Sequence, residues 1–275
     1  MINLLYCGND KVYDGVLTSL LSILKRDPSL DEYTVYVFTM NLTRLNDAYT
    51  PISEERIASL DRLVKKYNPA SKVIKVDVTD LYESQLGRSP NEGCYCSPYT
   101  LLRLFADEID SIQGNLLYLD ADIMFNRDIH LLTGHSLEGY ELAGAPDHYG
   151  KYFFLHPYIN AGVLYFNMDE CRKRKTFEKA RAWINRKKLI FADQSAIARS
   201  AKRKKVLRQR YNDQKFLHRH TVVRHFSKRL FWLPYPHTDN IKQWHIDKVH
   251  AVFKYHAFDD IYEEYIQWKK DDLGE

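Results

Sequence analysis

Asp120 and Asp122 stand one residue apart at the end of the stretch "NLLYLDADIMF", residues 115–125. The four residues before them, Leu116, Leu117, Tyr118 and Leu119, have the unbroken apolar character of a buried strand. Side chains two apart along a strand share a face, so both carboxylates point one way while Ala121 points the other. Paired acids leaving a buried strand suffer desolvation and mutual repulsion. A divalent cation relieves both. Mn²⁺ or Mg²⁺ takes hard oxygen ligands and keeps positions open for substrate phosphates. The plainer account is a strand end whose acids cap neighbouring turns, and a bare D-x-D arises by chance roughly once in a chain this long. The apolar run in front of this one separates it from chance. No G-x-x-x-x-G-K-[ST] and no G-x-G-x-x-G is present, so a diphosphate would be held through a metal and not on a glycine-rich loop.

The elements around the pair alternate. "INLLYC", "YTVYVFTM" and "SKVIKVDV" have strand character, and "GVLTSLLSILKR", "SEERIASLDRLVKKY" and "PYTLLRLFADEI" have apolar residues at helical spacing. Ser53 suits a helix cap, Glu54 and Glu55 suit the positive end of that helix, and Pro98 suits the start of the next. This alternation predicts an α/β fold, a mainly parallel sheet with helices on both faces. Ligands then bind outside the carboxyl ends of the strands, where Asp120 and Asp122 fall. Further on, "ELAGAP", "YINAGVLYFNM" and "TVVRHFS" predict strands. "ECRKRKTFEKARAWINRKK", "ADQSAIARSA", "HIDKVHAVFKYHAF" and "DIYEEYIQWKK" predict helices. With no repeat or linker, residues 1–275 are expected to form one domain whose segment 221–275 closes the site.

Composition narrows the classes. With 45% hydrophobic residues in 275, the chain can bury a core. No apolar run approaches the roughly 18 residues of a membrane span, and "MINLLYCGND" lacks the basic start of a signal peptide. Cys7, Cys94, Cys96 and Cys171 form neither C-x-x-C pairs nor a disulfide framework, so a reduced, cytoplasmic protein is expected. The formal net charge is +4, and residues 171–229 hold 21 Lys+Arg against 3 Asp+Glu; that excess of 18 leaves the rest of the chain at −14. The basic stretch suits an anionic acceptor or peripheral contact with an anionic membrane, and equally the solvated faces of helices. Zinc-finger spacing, RNP motifs and KH loops are missing, which argues against nucleic acid.

Taken in order, "LLYLDADIMF", "YINAGVLYFN", "FADQSAI", "RHFSK" and "NIKQWHIDKVH" resemble the retaining glycosyltransferases of family eight, over residues 2 to about 260. The resemblance implies a GT-A fold, a UDP-hexose donor, Mn²⁺ (or Mg²⁺) and a glycan, glycolipid or glycoprotein acceptor. It implies metal ligation by Asp120, Asp122 and His225. Donor contacts would come from Cys7, Asn9, Asp10, Arg103, Asp120, Ala121, Asn160 and Ala161. Asp193 and Gln194 would address the sugar's reacting face, Lys242 the leaving diphosphate, and Asp147 the acceptor. Three positions depart from the family pattern: Asn9 for an aspartate that holds the uracil, Gln243 for the proline of K-P-W, and Lys228 for a glycine.

Each residue also has a structural alternative. Asn160-Ala161-Gly162 suits a tight strand entry, Asp193 a helix cap, and Arg103 an i,i+4 pair with Asp107. Two rival functions stand beside glycosyl transfer. One is another metal-dependent nucleotide-sugar enzyme, a hydrolase or nucleotidyltransferase; the other is a non-catalytic nucleotide-sugar or polyanion-binding protein.

Overall fold

The computed structural model describes residues 1–93, 97–148, 150, 158–231 and 235–275; Cys94 and Cys96 lie outside them. The strands are β1 (Ile2–Cys7), β2 (Tyr33–Thr39), β3 (Lys72–Asp77), β4 (Asn115–Leu119), β5 (Ile123–Phe125), β6 (Leu142–Pro146), β7 (Ile159–Asn167) and β8 (Lys204–Val206). Three more are β9 (Val223–His225), β10 (Arg229–Phe231) and β11 (His237–Asp239). Seven of them form one sheet in the order β3-β2-β1-β4-β7-β6-β8. β3, β2, β1 and β4 run parallel, β7 is antiparallel to both β4 and β6, and β8 is parallel to β6. The expected mainly parallel sheet is present, with β7 as its reversed strand. Two small sheets, β5-β9 and β10-β11, sit beyond it.

The period of two along the strands sorts the core into two layers. Leu4, Tyr6, Leu117 and Leu119 face one side, with Leu17, Leu20 and Leu24 of the helix Tyr13–Arg26 and Ile261 and Tyr262 of the helix Asp259–Trp268. Leu5, Leu116 and Tyr118 face the other, with Leu102 and Phe105 of the segment Pro98–Glu108 and Phe177 and Ile184 of the helix Thr176–Arg186. Fully burying each such apolar side chain stabilises the fold by about 1.5–3 kcal/mol. Ser53 caps the helix Glu54–Tyr67, its hydroxyl accepting from Arg56 N.

Three expected helices differ. Pro98–Glu108 winds in tight 3-10 turns, not an α-helix. The basic helix breaks into Met168–Arg174 and Thr176–Arg186 because Lys175 takes a left-handed φ of 55°. Helical winding over Ile246–Phe253 stops where Lys254 does the same, at φ 58°. The basic stretch also divides. Arg172 donates to the carbonyls of Ile109 and Ile112, and Arg181 pairs with Asp107 and Glu108. These bases brace the fold, whereas Arg186, Lys187, Lys188, Lys202 and Arg203 are exposed.

At the far end of the sheet, three carboxylates surround His130. Its Nδ1 lies 2.7 Å from Asp128 and its Nε2 2.7 Å from Asp31, with Asp27 at 3.8 Å. Burial works to lower the imidazole pKa, but the hydrogen bonds to Asp128 and Asp31 outweigh it and the net shift is upward. A raised folded-state pKa contributes stability that is complete below the unfolded value, about 6.5, and fades as pH rises through the folded value. The melting temperature is therefore expected to fall between about pH 6 and about pH 9, a window spanning that value. His130→Gln should flatten the slope. An equal slope in both proteins would show that this cluster does not carry it.

Candidate active site

Strand β4 ends at Leu119, whose last partner across the sheet is Val163 of β7. Asp120 N still donates to Gly162 O at 2.8 Å, which holds the first aspartate beside the strand. β5 then pairs with β9 and sets Ile123 opposite His225. This pairing brings His225 Nε2 to 3.0 Å from Asp122 Oδ1 and 3.8 Å from Asp120 Oδ2. His225 Nδ1 meets Asn212 Oδ1 at 3.0 Å. An amide oxygen only accepts, so Nδ1 donates its proton to Asn212 while Nε2 faces the carboxylates.

The same aspartates are tied to cationic groups. Lys242 donates to Asp122 Oδ2 and to Phe226 O, the second at 3.3 Å. Burial pushes the Asp122 pKa up, but Lys242 first and His225 second overcome it and hold the carboxyl far below the usual range. Arg103 is almost fully buried and spends its donors inside the protein. They reach Thr100 O (2.9 Å), Ala161 O (2.6 Å), Asp120 Oδ1 (3.1 Å) and Asp193 Oδ2 (3.3 Å). Its guanidinium lies 3.8 Å over the Tyr118 ring, and Tyr118 OH donates to Asp120 Oδ1 at 2.6 Å. Burial raises the Asp193 pKa, with Arg103 opposing.

A network of amides adjoins this charge cluster. Asn160 donates to Asp147 Oδ2 at 2.8 Å and accepts from Asn212 Nδ2 at 2.8 Å and Gly162 N at 2.9 Å. Gln194 accepts from Ala161 N at 2.9 Å and donates to Asp147 at 3.3 Å. Only glycine fits at position 162: a Cβ there would lie 2.3 Å from His225 Cε1 and 2.8 Å from Asp120 Oδ2.

The structure thus joins Asp120, Asp122, His225, Lys242, Arg103, Asp193, Asn160, Ala161, Gln194 and Asp147 in one contact network. Of the alternative roles, the Arg103–Asp107 pair is not formed, since Asp107 pairs with Arg181. Asp193 lies in the first turn of its helix and also meets Arg103, and Asn160 to Gly162 stand at the entry of β7. Cys7, at the end of β1, lies within the electrostatic reach of Arg103 and Asp120, and burial pushes its thiol pKa well up. Asn9 and Asp10 stand apart: Asn9 donates to Ala48 O, and Asp10 accepts from Ser53 N at 2.8 Å. Gln243, at the departure from K-P-W, donates to Ala121 O at 2.8 Å, between the two aspartates.

Asn212, Tyr118 and Gln243 are site residues that sequence reasoning missed. Tyr118 was recoverable, because i and i+2 on a strand share a face. Asn212, fully buried, carried no signal in "YND". Asp120, Asp122 and His225 bring ligand atoms within 4.8 Å of one another. Two carboxylates and one imidazole suit Mn²⁺, so the donor set fits the implied metal.

The fold and this cluster define an α/β protein with two aspartates and a histidine gathered at the carboxyl end of its sheet. Residues 3–220 match glycosyl transferase family 8. The chain belongs to that family. Among solved structures it is similar to the galactosyltransferase LgtC in complex with donor and acceptor sugar analogs. That likeness has a TM-score of 0.69 and 17% identity, over 97% of this chain and 96% of that one. It is also similar to the glycosyltransferase GlyE of Streptococcus pneumoniae, with a TM-score of 0.65 and 14% identity, over 97% of this chain and 64% of that one. These likenesses show a shared GT-A fold. A curated Haemophilus influenzae protein is 23% identical over 195 residues, which are 67% of this chain and 54% of that one. The chain therefore spans about half the length of that relative.

Outer partners of a metal-ligating histidine typically govern affinity by 10–100-fold. Asn212→Ala should accordingly weaken Mn²⁺ binding by about 10–100-fold, measured by titration calorimetry. Unchanged affinity would mean that Asn212 does not orient His225.

Proposed function

We propose that this protein transfers a hexose from a UDP-sugar to a glycan, glycolipid or glycoprotein acceptor, with retention of anomeric configuration. The observation that carries the proposal is one contact network in a family 8 chain, joining Asp120, Asp122 and His225 to Asn160, Asp193 and Gln194. Asp120, Asp122 and His225 would hold Mn²⁺ or Mg²⁺, which when bound neutralises charge on the diphosphate. Breaking the anomeric C–O bond develops negative charge on the β-phosphate. The Lys242 ammonium lies against Asp122 and supplies positive charge where that develops. Arg103 positions Asp120 and Asp193, because its donors are already engaged within the protein.

The sugar side rests on Asn160, Asp193 and Gln194. Both ends of the Gln194 amide are held, by Ala161 N and Asp147, and an amide is a poor nucleophile. The acceptor oxygen therefore attacks the face that the phosphate leaves, and the departing phosphate oxygen takes its proton. This preserves the configuration. Asp147, which fixes both Asn160 and Gln194, orders the donor pocket and borders the acceptor's approach. Cys7, Asn9 and Asp10, at the end of β1, are proposed for the nucleoside end.

Release of UDP from UDP-galactose or UDP-glucose, with and without Mn²⁺, tests the reading. Metal-dependent release is expected, and Asp122→Asn should reduce it about 100-fold or more, beyond the range seen for outer-shell partners. Wild-type rates in that variant would remove the aspartate pair from the mechanism. Release of UMP in place of UDP would favour the hydrolase reading.

The exposed bases Arg186, Lys187 and Lys188, beside the exposed Ile190, support peripheral contact with the anionic cytoplasmic face of a membrane. Among the described residues no helix is long and apolar enough to cross one. Charge-driven contact of this kind is screened, since the Debye length shrinks from about 10 Å at 0.1 M salt to about 3 Å at 1 M. Cosedimentation with phosphatidylserine vesicles is expected at the lower salt and not at the higher. No cosedimentation at either would leave these bases as a solvated helix face.

A further inference from the structure

Two histidines and an aspartate meet on the C-terminal segment, and they share no residue with the site described above. His250 Nε2 lies 2.8 Å from Asp259 Oδ1, and His256 Nδ1 lies 3.1 Å from Asp259 Oδ2. The two imidazoles stack with centroids 4.6 Å apart and planes 21° from parallel. Backbone geometry builds this arrangement. Lys254, with a left-handed φ of 58°, turns the chain back after Phe253, so that His256 returns over His250. Asp259 then opens the helix Asp259–Trp268, with its N–H donating to His256 O at 3.3 Å.

We propose that His250, His256 and Asp259 form a second metal site, selective for a zinc-class divalent cation, that pins the loop 250–259. The ligand atoms lie within 4.8 Å of one another. Ligands about 2.0–2.1 Å from a tetrahedral zinc stand about 3.4 Å apart, so the observed N···O gaps need to open only slightly. One carboxylate faces two ring nitrogens that both have the geometry to donate or to ligate. As two imidazoliums, the stacked rings would place like charges face to face with a single carboxylate between them. As neutral rings they offer two nitrogen ligands to one cation. The fourth position lies open to water, because His256 is well exposed.

Donor chemistry separates the two sites. Two imidazoles and one carboxylate suit Zn²⁺, Ni²⁺ or Cu²⁺, whereas the oxygen-richer set at Asp120, Asp122 and His225 suits Mn²⁺ or Mg²⁺. Pinning the loop also holds Phe253 and Tyr255, which stack on each other at 5.4 Å and both lie 5.8 Å from the Arg224 guanidinium. Zinc would therefore stabilise the closing segment without touching the aspartate pair.

Trypsin supplies a direct readout, because the exposed Lys254 lies between the two histidines. The full-length protein is stripped with a chelator, titrated with Zn²⁺ alone and digested. Cleavage after Lys254 should slow about tenfold at zinc roughly ten times its Kd, if cutting needs the loop to open. Cleavage at other lysines serves as the internal reference. Asp122→Asn should keep both the protection and one bound zinc, whereas His256→Ala and His250→Ala should lose both. His256 is exposed, so its substitution leaves the fold intact. Protection that persists in both histidine variants, or disappears in Asp122→Asn, would overturn the proposal and place the zinc at the aspartate pair. Absence of zinc-dependent protection in the wild type would overturn it outright.

Discussion

The buried guanidinium of Arg103 is the interaction on which the site depends. It reaches the segment Pro98–Glu108 through Thr100 O, strand β7 through Ala161 O, the end of β4 through Asp120, and the helix Ala192–Ser200 through Asp193. Four separate stretches of chain meet on one planar cation. Its rigid fork matches carboxylates and carbonyls at fixed angles, which a lysine ammonium does not. The tight winding of Pro98–Glu108 carries Arg103 inward from a segment that sequence periodicity marked as a helix.

Charge balance explains the rest of the site's layout. Asp120, Asp122 and Asp193 bring three carboxylates into a poorly hydrated region, and isolated buried charges of this kind are strongly destabilising. Arg103 answers Asp120 and Asp193, Lys242 answers Asp122, and His225 lies beside Asp122. The neutral amides of Asn160, Gln194 and Asn212 then fill the neighbouring positions, each bonded at both ends or to a fixed carboxylate. This leaves the side chains ordered before any ligand arrives, the condition under which fixed dipoles stabilise developing charge most effectively.

The alternation of apolar strands and amphipathic helices made the sheet legible in the sequence, and the run before Asp120 placed the acids at its carboxyl end. The reversed direction of β7 was not legible, because strand direction leaves no trace in local periodicity. Three-residue strands such as β5 and β8 are too short to show a period, whereas "TVVRHFS" did mark β9. Lys175 and Lys254 broke expected helices through left-handed backbone, where lysine gives no warning that a glycine would. Arg103 and Asp193 were marked by family resemblance, but their contact spans 90 residues of chain (193 − 103) and follows only from the assembled sheet. Asn212 had no pattern around it at all.

Lys242 comes 120 residues after the aspartate it contacts, and His225 and Gln243 also arrive late. During synthesis, the strands β1 to β4 leave the ribosome long before these partners exist. The emerging chain therefore meets Asp120 with Arg103, made earlier, but carries Asp122 without an answering charge until residues 225 to 242 have been made. Only then can Gln243 bond to Ala121 O, and Trp244 pack against Gly15, where a side chain would collide with both. A nascent or prematurely ended chain can build most of the sheet, yet it holds Asp122 uncompensated in place of a finished site.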